Sequence, residues 1–183
     1  MEEKTDKQLY QEFLEGNQKS FEEIIIRHKN KLIYFIQKYV KCIDIAEDLA
    51  QDVFVYILIH KVNYDFQYSL KTYLYTIAKS KSLNYLKREK KIIHIDEIQF
   101  TEEEELEEKI FKKERENNLR KAIKKLKIDY QNAIYLADFE GLSYKEIGEV
   151  LKKNNSQVKI LIHRARKALG KVVRKEELKY EKW

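Results

Sequence analysis

The sequence contains no proline and only four glycines among its 183 residues. Chains with many tight turns need more of both, because these residues adopt the backbone conformations on which turns depend. Long helices with few connections are therefore expected. Cysteine is equally scarce: Cys42 is the only one, which excludes a disulfide within the chain and is typical of a reducing compartment.

Long apolar stretches are also absent. No run approaches the roughly 18 residues that a transmembrane helix needs, and the N-terminus, MEEKTDKQLYQEF, lacks the apolar core of a signal peptide. These absences predict a cytoplasmic protein without membrane insertion.

Motifs for catalysis or metal binding are missing as well. The histidines, at positions 28, 60, 94 and 163, are scattered without zinc-ligand spacing. There is neither a phosphate-binding loop nor a nucleophile elbow. We therefore predict no catalytic residue, no metal and no cofactor, and we do not expect an enzyme.

Charge is abundant and unevenly distributed. Charged residues make up 37% of the chain and the net charge is +6. Basic clusters lie at 79–91 and 152–175, whereas 96–108 holds eight acids and no base. Two basic surfaces indicate two contact points on one polyanion. A lysine-rich composition that merely reflects codon usage is the alternative explanation of the net charge.

Before the acidic segment, apolar residues recur at helical spacing. Ser20, Asp44 and Ser69 each begin a pattern that can cap a helix. Residues 61–68 lose the periodicity and are predicted to form a loop. A bundle of three or four helices is therefore expected over residues 5–91.

After the acidic segment, the pattern predicts four helices over residues 110–178. Asp129 and Ser143 are expected to cap two of them, and Gly141 has the character of a helix-ending glycine. The fold class is thus all-α, with two small helical domains joined by an acidic linker at 92–109. The partial alternation in residues 92–100 leaves a short strand open as an alternative.

The segment GLSYKEIGEVLKKNNSQVKILIHRARKAL, residues 141–169, predicts a helix-turn-helix. In such a motif a bracing helix positions a second helix in the major groove of DNA. Gly148 allows close packing, and Val158 and Ile162 begin a buried stripe on the second helix. The candidate DNA contacts lie at the start and on the opposite face of that helix: Asn155, Ser156, Gln157, Lys159, Ile160, His163 and Arg164. Glutamine can pair with adenine through two atoms. A generic helical hairpin with a solvated basic face is the alternative.

This segment resembles region 4 of bacterial RNA polymerase sigma factors, specifically the extracytoplasmic-function group of the sigma-70 family. The resemblance rests on GLSYKEIGEVL and the later HRARKAL. The preceding LRKAIKKLKIDYQNAIYLADFEGLS is similar to region 4.1. Upstream, FEEIIIRHKNKLIYFIQKYV and AEDLAQDVFVYI resemble regions 2.1 and 2.2, and SLKTYLYTIAKSKSLNYLKREKK resembles regions 2.3 to 2.4. The likeness covers residues 6–91 and 117–175, in the family's order.

The resemblance implies a non-enzymatic factor that binds core RNA polymerase and directs it to particular promoters. The implied partners are the clamp helices of the largest subunit, the flap of the second-largest subunit, and promoter DNA. Many members are also held by an anti-sigma factor, although nothing in the sequence identifies one. The residues matching the family's polymerase-docking positions are Glu47, Asp48, Gln51 and Asp52. A merely solvated acidic face is the alternative.

Region 2 of the family also opens the promoter's −10 element, which requires pockets and aromatic surfaces for unstacked bases. The residues that the resemblance assigns to this element lie in the 61–68 loop and the helix after it: Asn63, Tyr64, Phe66, Tyr68, Lys71, Tyr73, Lys79, Asn84, Lys87 and Arg88. Phe66 and Tyr73 could instead be core aromatics. The acidic linker could mimic RNA near the polymerase's RNA path or simply solubilise the chain.

Region 4 of the family reads the −35 element, and here the sequence departs from the family pattern. Ile160 and Leu161 stand where Ser-Arg is common, and Lys152 stands where glycine is common. The turn KKNN has no glycine, although asparagine can take a left-handed conformation. A shifted or weaker −35 preference is therefore expected.

Two rival functions fit parts of the sequence. A helix-turn-helix regulator acting without polymerase explains residues 110–178 but leaves AEDLAQDVF unexplained. An interaction protein that has lost its DNA role would explain the apolar Ile160-Leu161 pair.

Overall fold

A computed structural model of the chain describes residues 4–92 and 112–180, and the regular structure in both ranges is helical, as predicted. The helices are α1 (Asp6–Leu14), α2 (Gln18–Val40), α3 (Ile43–Ile59), α4 (Leu70–Ile92), α5 (Lys112–Lys124), α6 (Ile128–Ile134), α7 (Tyr144–Leu151) and α8 (Asn155–Tyr180). A 3₁₀ turn, Lys61–Asn63, follows α3, and a π-helical turn, Tyr135–Phe139, continues α6. The strand alternative at residues 92–100 lies, apart from its first residue, outside the described residues.

The chain divides into two compact units, with residues 4–92 in the first and most of residues 112–180 in the second. In the first unit, α2 packs against α1, α3 and α4, and α3 also packs against α4. Apolar side chains at helical spacing on these helices form the core: Ile24, Leu32, Phe35, Ile36, Val53, Ile57, Leu74 and Tyr75. This confirms the predicted helical bundle.

Helix α1 is a separate element that the sequence interpretation did not resolve. A capping box begins it, because the Gln8 amide N–H donates to the Thr5 hydroxyl at 3.3 Å and the Thr5 amide N–H donates to Gln8 Oε1 at 2.9 Å. The buried Tyr10 donates from its hydroxyl to the Lys61 carbonyl at 2.9 Å. Helix α1 is thereby tied to the turn after α3.

A polar cluster holds α1 to α2. Arg27 donates to Asp6 Oδ1 at 3.0 Å, and Nε2 of the buried His28 lies 2.9 Å from Asp6 Oδ2. Burial alone would raise the pKa of Asp6, but hydrogen bonding and charge interactions with His28 and Arg27 outweigh it and lower that pKa. Ser20 also donates to the Glu12 carboxylate. These contacts hold α1 against the first half of α2.

Two predicted helix starts in the first unit are wrong and one is confirmed. Helix α2 begins two residues before Ser20, because Asn17 accepts from the Lys19 N–H at 3.1 Å. Helix α3 begins at Ile43, ahead of Asp44, and its N-terminus has no side-chain cap. Ser69 does cap α4, accepting from the Thr72 N–H at 3.3 Å. The predicted loop between α3 and α4 is present.

Residues 112–180 form the four predicted helices, and α8 packs against α5 and α6. The buried apolar side chains of the second unit include Ile123, Ala133, Ile134, Leu136, Val158, Ile162 and Ala165. The predicted cap at Asp129 is wrong, because α6 starts at Ile128 after Lys127. The predicted box at Ser143 is confirmed: its hydroxyl donates to Glu146 Oε2 at 2.8 Å, and the Glu146 N–H returns to Ser143 Oγ at 3.3 Å.

Two left-handed residues bound the α7 region. Gly141 has φ +68°, and it follows the π-helical turn that it was predicted to end. Lys152 has φ +56° directly after α7, so a lysine takes the conformation that the sequence suggested for an asparagine. Within the described ranges, the helices lack the combination of length and apolar character that crossing a membrane requires.

Candidate protein and nucleic-acid binding surfaces

Helix α3 presents the predicted polymerase-docking residues on one exposed side. Glu47, Asp48, Gln51 and Asp52 are all exposed. They alternate along the helix with a buried stripe: Ala46, Ala50, Val53, Phe54 and Ile57. Residues three and four apart share a helix face, so the four polar side chains form one acidic surface next to this stripe.

The same side of α3 becomes apolar towards its C-terminus. The exposed fractions are 51% for Val55, 52% for Leu58, 69% for Ile59 and 79% for Val62 beyond the helix end. Gln51, Val55 and Ile59 follow at spacings of four, and Leu58 lies three residues after Val55, so these apolar residues extend the acidic surface. We call the polar and apolar residues together the α3 face.

Sequence reasoning missed the apolar half of the α3 face. The C-terminal half of α3, VFVYILI, is apolar on nearly every side, and apolar residues are ordinarily assigned to a core. The available signal was the excess of apolar positions over what one buried stripe can hold. Contiguous exposed apolar surface typically marks a site of protein interaction.

One member of the α3 face interacts within the chain. Asp52 Oδ2 lies 3.7 Å from Lys81 Nζ of α4, and the Asp52 side chain is 61% exposed. Lys81 also lies over the Tyr56 ring, 5.9 Å from its centroid. The charge of Asp52 is thereby partly balanced, so Glu47 and Asp48 contribute more to the negative potential of this face.

The loop assigned to the −10 element is built around a buried tyrosine. Tyr64 is only 7% exposed, and its hydroxyl donates to the Tyr68 carbonyl at 2.7 Å. Its ring centroid lies 4.6 Å from that of Tyr10 and 5.3 Å from that of Tyr73. This burial favours a packing role for Tyr64 and leaves little ring surface for a base.

Other aromatic residues of the loop keep partial exposure. Phe66 and Tyr73 are half-buried and pack on Tyr64, at centroid distances of 4.6 Å and 5.3 Å. The Tyr73 hydroxyl is buried, and burial raises the pKa of Tyr73. Phe66 and Tyr73 therefore belong partly to the core, which agrees with the alternative interpretation of these two residues. Asn63 is exposed and Tyr68 is half-buried at the loop surface.

Helix α4 carries the remaining residues assigned to the −10 element. Asn84, Lys87 and Arg88 are exposed, and Lys71 and Lys79 are half-buried. The first three are spaced three and one apart, so they share a face and can follow a phosphate backbone.

Helix α8 presents its predicted DNA contacts together. All seven are exposed, over the buried Val158, Ile162 and Ala165: Asn155, Ser156, Gln157, Lys159, Ile160, His163 and Arg164. Arg166, in contrast, is paired with Asp138 of the π-helical turn through two hydrogen bonds. Arg166 therefore anchors α8 within its own unit.

A second function of Gln157 was missed in the sequence. The Asn154 N–H donates to Gln157 Oε1 at 3.0 Å, and the Gln157 N–H donates to Asn154 Oδ1 at 2.9 Å. This reciprocal pair is a capping box, visible as N-x-x-Q directly before the helix. The cap occupies one of the two acceptor sites of the Gln157 amide oxygen and restrains the orientation of this side chain, which limits how it can turn towards adenine.

No group of three or more histidine, cysteine or acidic side chains suited to a metal occurs in the part of the chain that the structure describes. The surfaces on α3, α4 and α8 therefore offer charge, amide groups and apolar contact. Such groups suit the binding of a protein and of a nucleic acid.

Known proteins match both units. Residues 24–92 match the family described as Sigma-70 region 2, and residues 116–169 match the family described as Sigma-70, region 4. The chain is 30% identical to RNA polymerase sigma factor YlaC of Bacillus subtilis over 157 residues, which cover 83% of this chain and 91% of that protein. It is 29% identical over 171 residues to ECF RNA polymerase sigma factor SigW of the same organism, covering 87% and 91%.

A more distant relative and two solved structures agree. The ECF RNA polymerase sigma-E factor of Escherichia coli is 28% identical over 184 residues, covering 94% of this chain and 96% of that one. The structure of CnrH in complex with the cytosolic domain of CnrY has a TM-score of 0.65 at 20% identity and covers 92% and 96%. The sigma factor RpoE in complex with the anti-sigma factor NepR from Bartonella quintana has a TM-score of 0.66 at 20% identity and covers 85% and 98%. At such identities the two structures show a common fold.

Proposed function

Given that this chain belongs to the extracytoplasmic-function group of the sigma-70 family, we propose that it meets RNA polymerase through the α3 face and promoter DNA through α4 and α8. It is a promoter-specific transcription initiation factor. We assign residues 5–91 to region 2, 92–109 to the linker and 110–178 to region 4. The protein acts in the cytoplasm and catalyses no reaction of its own.

The observation that carries the polymerase assignment is the α3 face. Its acidic half suits a basic partner, and its apolar half gains free energy when it leaves water. Full burial of one exposed aliphatic side chain contributes about 1.5–3 kcal/mol. The clamp helices of the largest polymerase subunit are the proposed partner, with the acidic residues giving orientation and Val55, Leu58 and Ile59 giving affinity.

The promoter assignment divides between the two units. In region 2, Asn63, Phe66, Tyr68 and Tyr73 are proposed to receive bases of the −10 element. The basic residues of α4 hold the strand backbone there: Lys71, Lys79, Lys87 and Arg88, with Asn84 beside them. Tyr64 supports this loop from beneath. In region 4, the exposed face of α8 reads the −35 element, and the unit also meets the flap of the second-largest subunit.

An anti-sigma factor is a further proposed partner. The solved structures of similar fold include RpoE in complex with the anti-sigma factor NepR. An exposed apolar surface such as the α3 face would be shielded by such a protein while the factor is inactive.

The polymerase assignment is tested by pull-down with purified core RNA polymerase. The double variant Asp48→Ala, Gln51→Ala removes polar contacts from the α3 face, and Leu58→Ser removes an apolar one. Each is expected to weaken binding at least tenfold, because the few dominant residues near the centre of an interface each cost about 2 kcal/mol or more when truncated. The matched control, Glu15→Ala with Glu22→Ala, alters exposed acids outside this face. Unchanged binding of both α3 variants, with circular dichroism showing intact helices, would refute the assignment.

A further inference from the structure

Ile160 stands at the centre of the exposed surface of α8. Successive residues of an α-helix are about 100° apart, so Ile160 lies roughly 140–160° around the axis from the buried Val158, Ile162 and Ala165. Its side chain is 50% exposed. A large aliphatic group therefore lies on the side of α8 that is opposite its buried stripe.

An apolar hollow adjoins Ile160 within the second unit. Its volume is about 320 Å³, and Tyr130 of α6 and Leu161 contribute to it together with Ile160. Gln157, Lys153 and Arg164 complete its lining. Ile160 thus belongs to a small apolar area that is bordered by amide and cationic groups.

The positive charge of the residues around this apolar area indicates which kind of ligand it binds. Residues 152–175 contain nine Lys or Arg and no acid. Such a border attracts a polyanion, and a nucleic acid is the polyanion that a region 4 helix meets. Among the groups at the edge of the major groove, the C5 methyl of thymine is the apolar one.

We propose that Ile160 is a specificity-determining residue that reads the C5 methyl of one thymine in the −35 element, with Leu161 and Tyr130 extending the apolar contact. This inference rests on the proposed function of α8. It gives the apolar pair a positive role in base selection: Ile160 favours thymine over cytosine, which presents an amino group and no methyl at the same edge.

The effect of one methyl group is measurable. Burying a group of this size contributes about 0.8 kcal/mol, which corresponds to roughly a fourfold change in affinity. Deoxyuridine pairs like thymidine but lacks the methyl, so it isolates this contribution. Replacing each −35 thymine in turn by deoxyuridine therefore locates the contact.

The experiment uses the full chain with core RNA polymerase and a promoter selected from a library randomised in the −35 element. Binding to duplexes with single deoxyuridine substitutions is measured for the wild type, Ile160→Ser and Ile26→Ser. Ile26 is 74% exposed on α2 and serves as the matched control. One deoxyuridine is expected to weaken binding about fourfold for the wild type and for Ile26→Ser. The same substitution should have a clearly smaller effect on Ile160→Ser, because only Leu161 and Tyr130 of the apolar contact remain.

Two results would overturn the proposal. One is a wild type that is insensitive to every deoxyuridine, and the other is a sensitivity that Ile160→Ser retains in full. If Ile160→Ser leaves promoter selection unchanged and instead weakens binding of a protein partner, the apolar area is a protein-binding site and the proposal is also wrong. If α8 does not read the −35 element at all, the result is different: transcription would then not depend on any base of the −35 sequence.

Discussion

Lys152 adopts a backbone conformation that lysine rarely takes. Its φ of +56° lies in the left-handed region, where the side chain of an L-residue crowds the following carbonyl and costs about 1–2 kcal/mol. Glycine avoids this crowding but loses more conformational entropy on folding, at a cost of about 0.5–1 kcal/mol. Relief of the crowding should exceed the entropy loss.

Lys152→Gly is therefore expected to stabilise the protein by about 0.5–1 kcal/mol. Calorimetric unfolding of the full chain should show the corresponding transition rising by a few degrees. Lys153→Gly is the matched control, because Lys153 is not among the residues with positive φ, and it should lower the transition temperature. An equal destabilisation by both changes would show that Lys152 is not strained.

The side-chain hydrogen bonds explain why the left-handed residue of this turn is Lys152 and not an asparagine. Either asparagine of KKNN can adopt that conformation in isolation. In the structure Asn154 accepts from the Gln157 N–H at 2.9 Å, and a capping residue of this kind typically has extended backbone. Lys152 therefore takes the left-handed conformation that lets the chain reverse its direction. Reading the N-x-x-Q box in the sequence would have excluded Asn154 from the left-handed position.

Helix α1 shows how an element distant in sequence can support the loop at residues 61–68. The ring of Tyr10 packs on Tyr64 at 4.6 Å and on Phe66 at 6.0 Å between centroids. Its hydroxyl donates to the Lys61 carbonyl, and burial raises the pKa of Tyr10 further above its ordinary value. Helix α1 thereby supports the loop proposed for the −10 element from the inner side.

Tyr10→Phe tests this support with little change in shape. Loss of the hydroxyl leaves the Lys61 carbonyl without its donor, which should lower the free energy of unfolding by about 0.5–1.5 kcal/mol. Promoter opening should also slow, and permanganate reactivity of unpaired −10 thymines measures it. Tyr144→Phe, which alters an exposed tyrosine, should change neither property. Normal opening by Tyr10→Phe would show that the loop holds its conformation without α1.

A competing cap explains one of the helix starts that were predicted wrongly, the one at Ser20. The capping patterns at Ser69 and Ser143 involve only residues at the start of the same helix, and both serines do cap their helices. The similar pattern at Ser20 fails because Asn17 caps α2 first and the Ser20 hydroxyl donates to Glu12 of α1. A pattern of four residues carries no information about a neighbouring helix, so tertiary contacts decided this case.

At the scale of the whole chain, composition predicted the architecture well. The absence of proline and the few glycines agree with α2 and α4, which run for 23 residues each. The polar residues of the α3 face followed from the family resemblance. Its apolar half did not, because exposure of Val55, Leu58 and Ile59 depends on which side of α3 the other helices cover. Sequence periodicity cannot distinguish a second buried side from a binding surface.

The division into two units has a consequence for promoter affinity that cleavage can measure. If region 2 and region 4 each bind weakly, the connection between them supplies an effective concentration in the millimolar range. A specific protease site placed between Glu103 and Glu104 allows the same preparation to be tested before and after cutting. Cleavage is expected to raise the concentration needed for half-maximal transcription about 100-fold or more, because binding of the second unit ceases to be intramolecular. A scrambled site that the protease does not cut controls for the insertion. Equal activity of cut and uncut protein would mean that polymerase holds each unit independently, and the linker would then contribute nothing to promoter affinity.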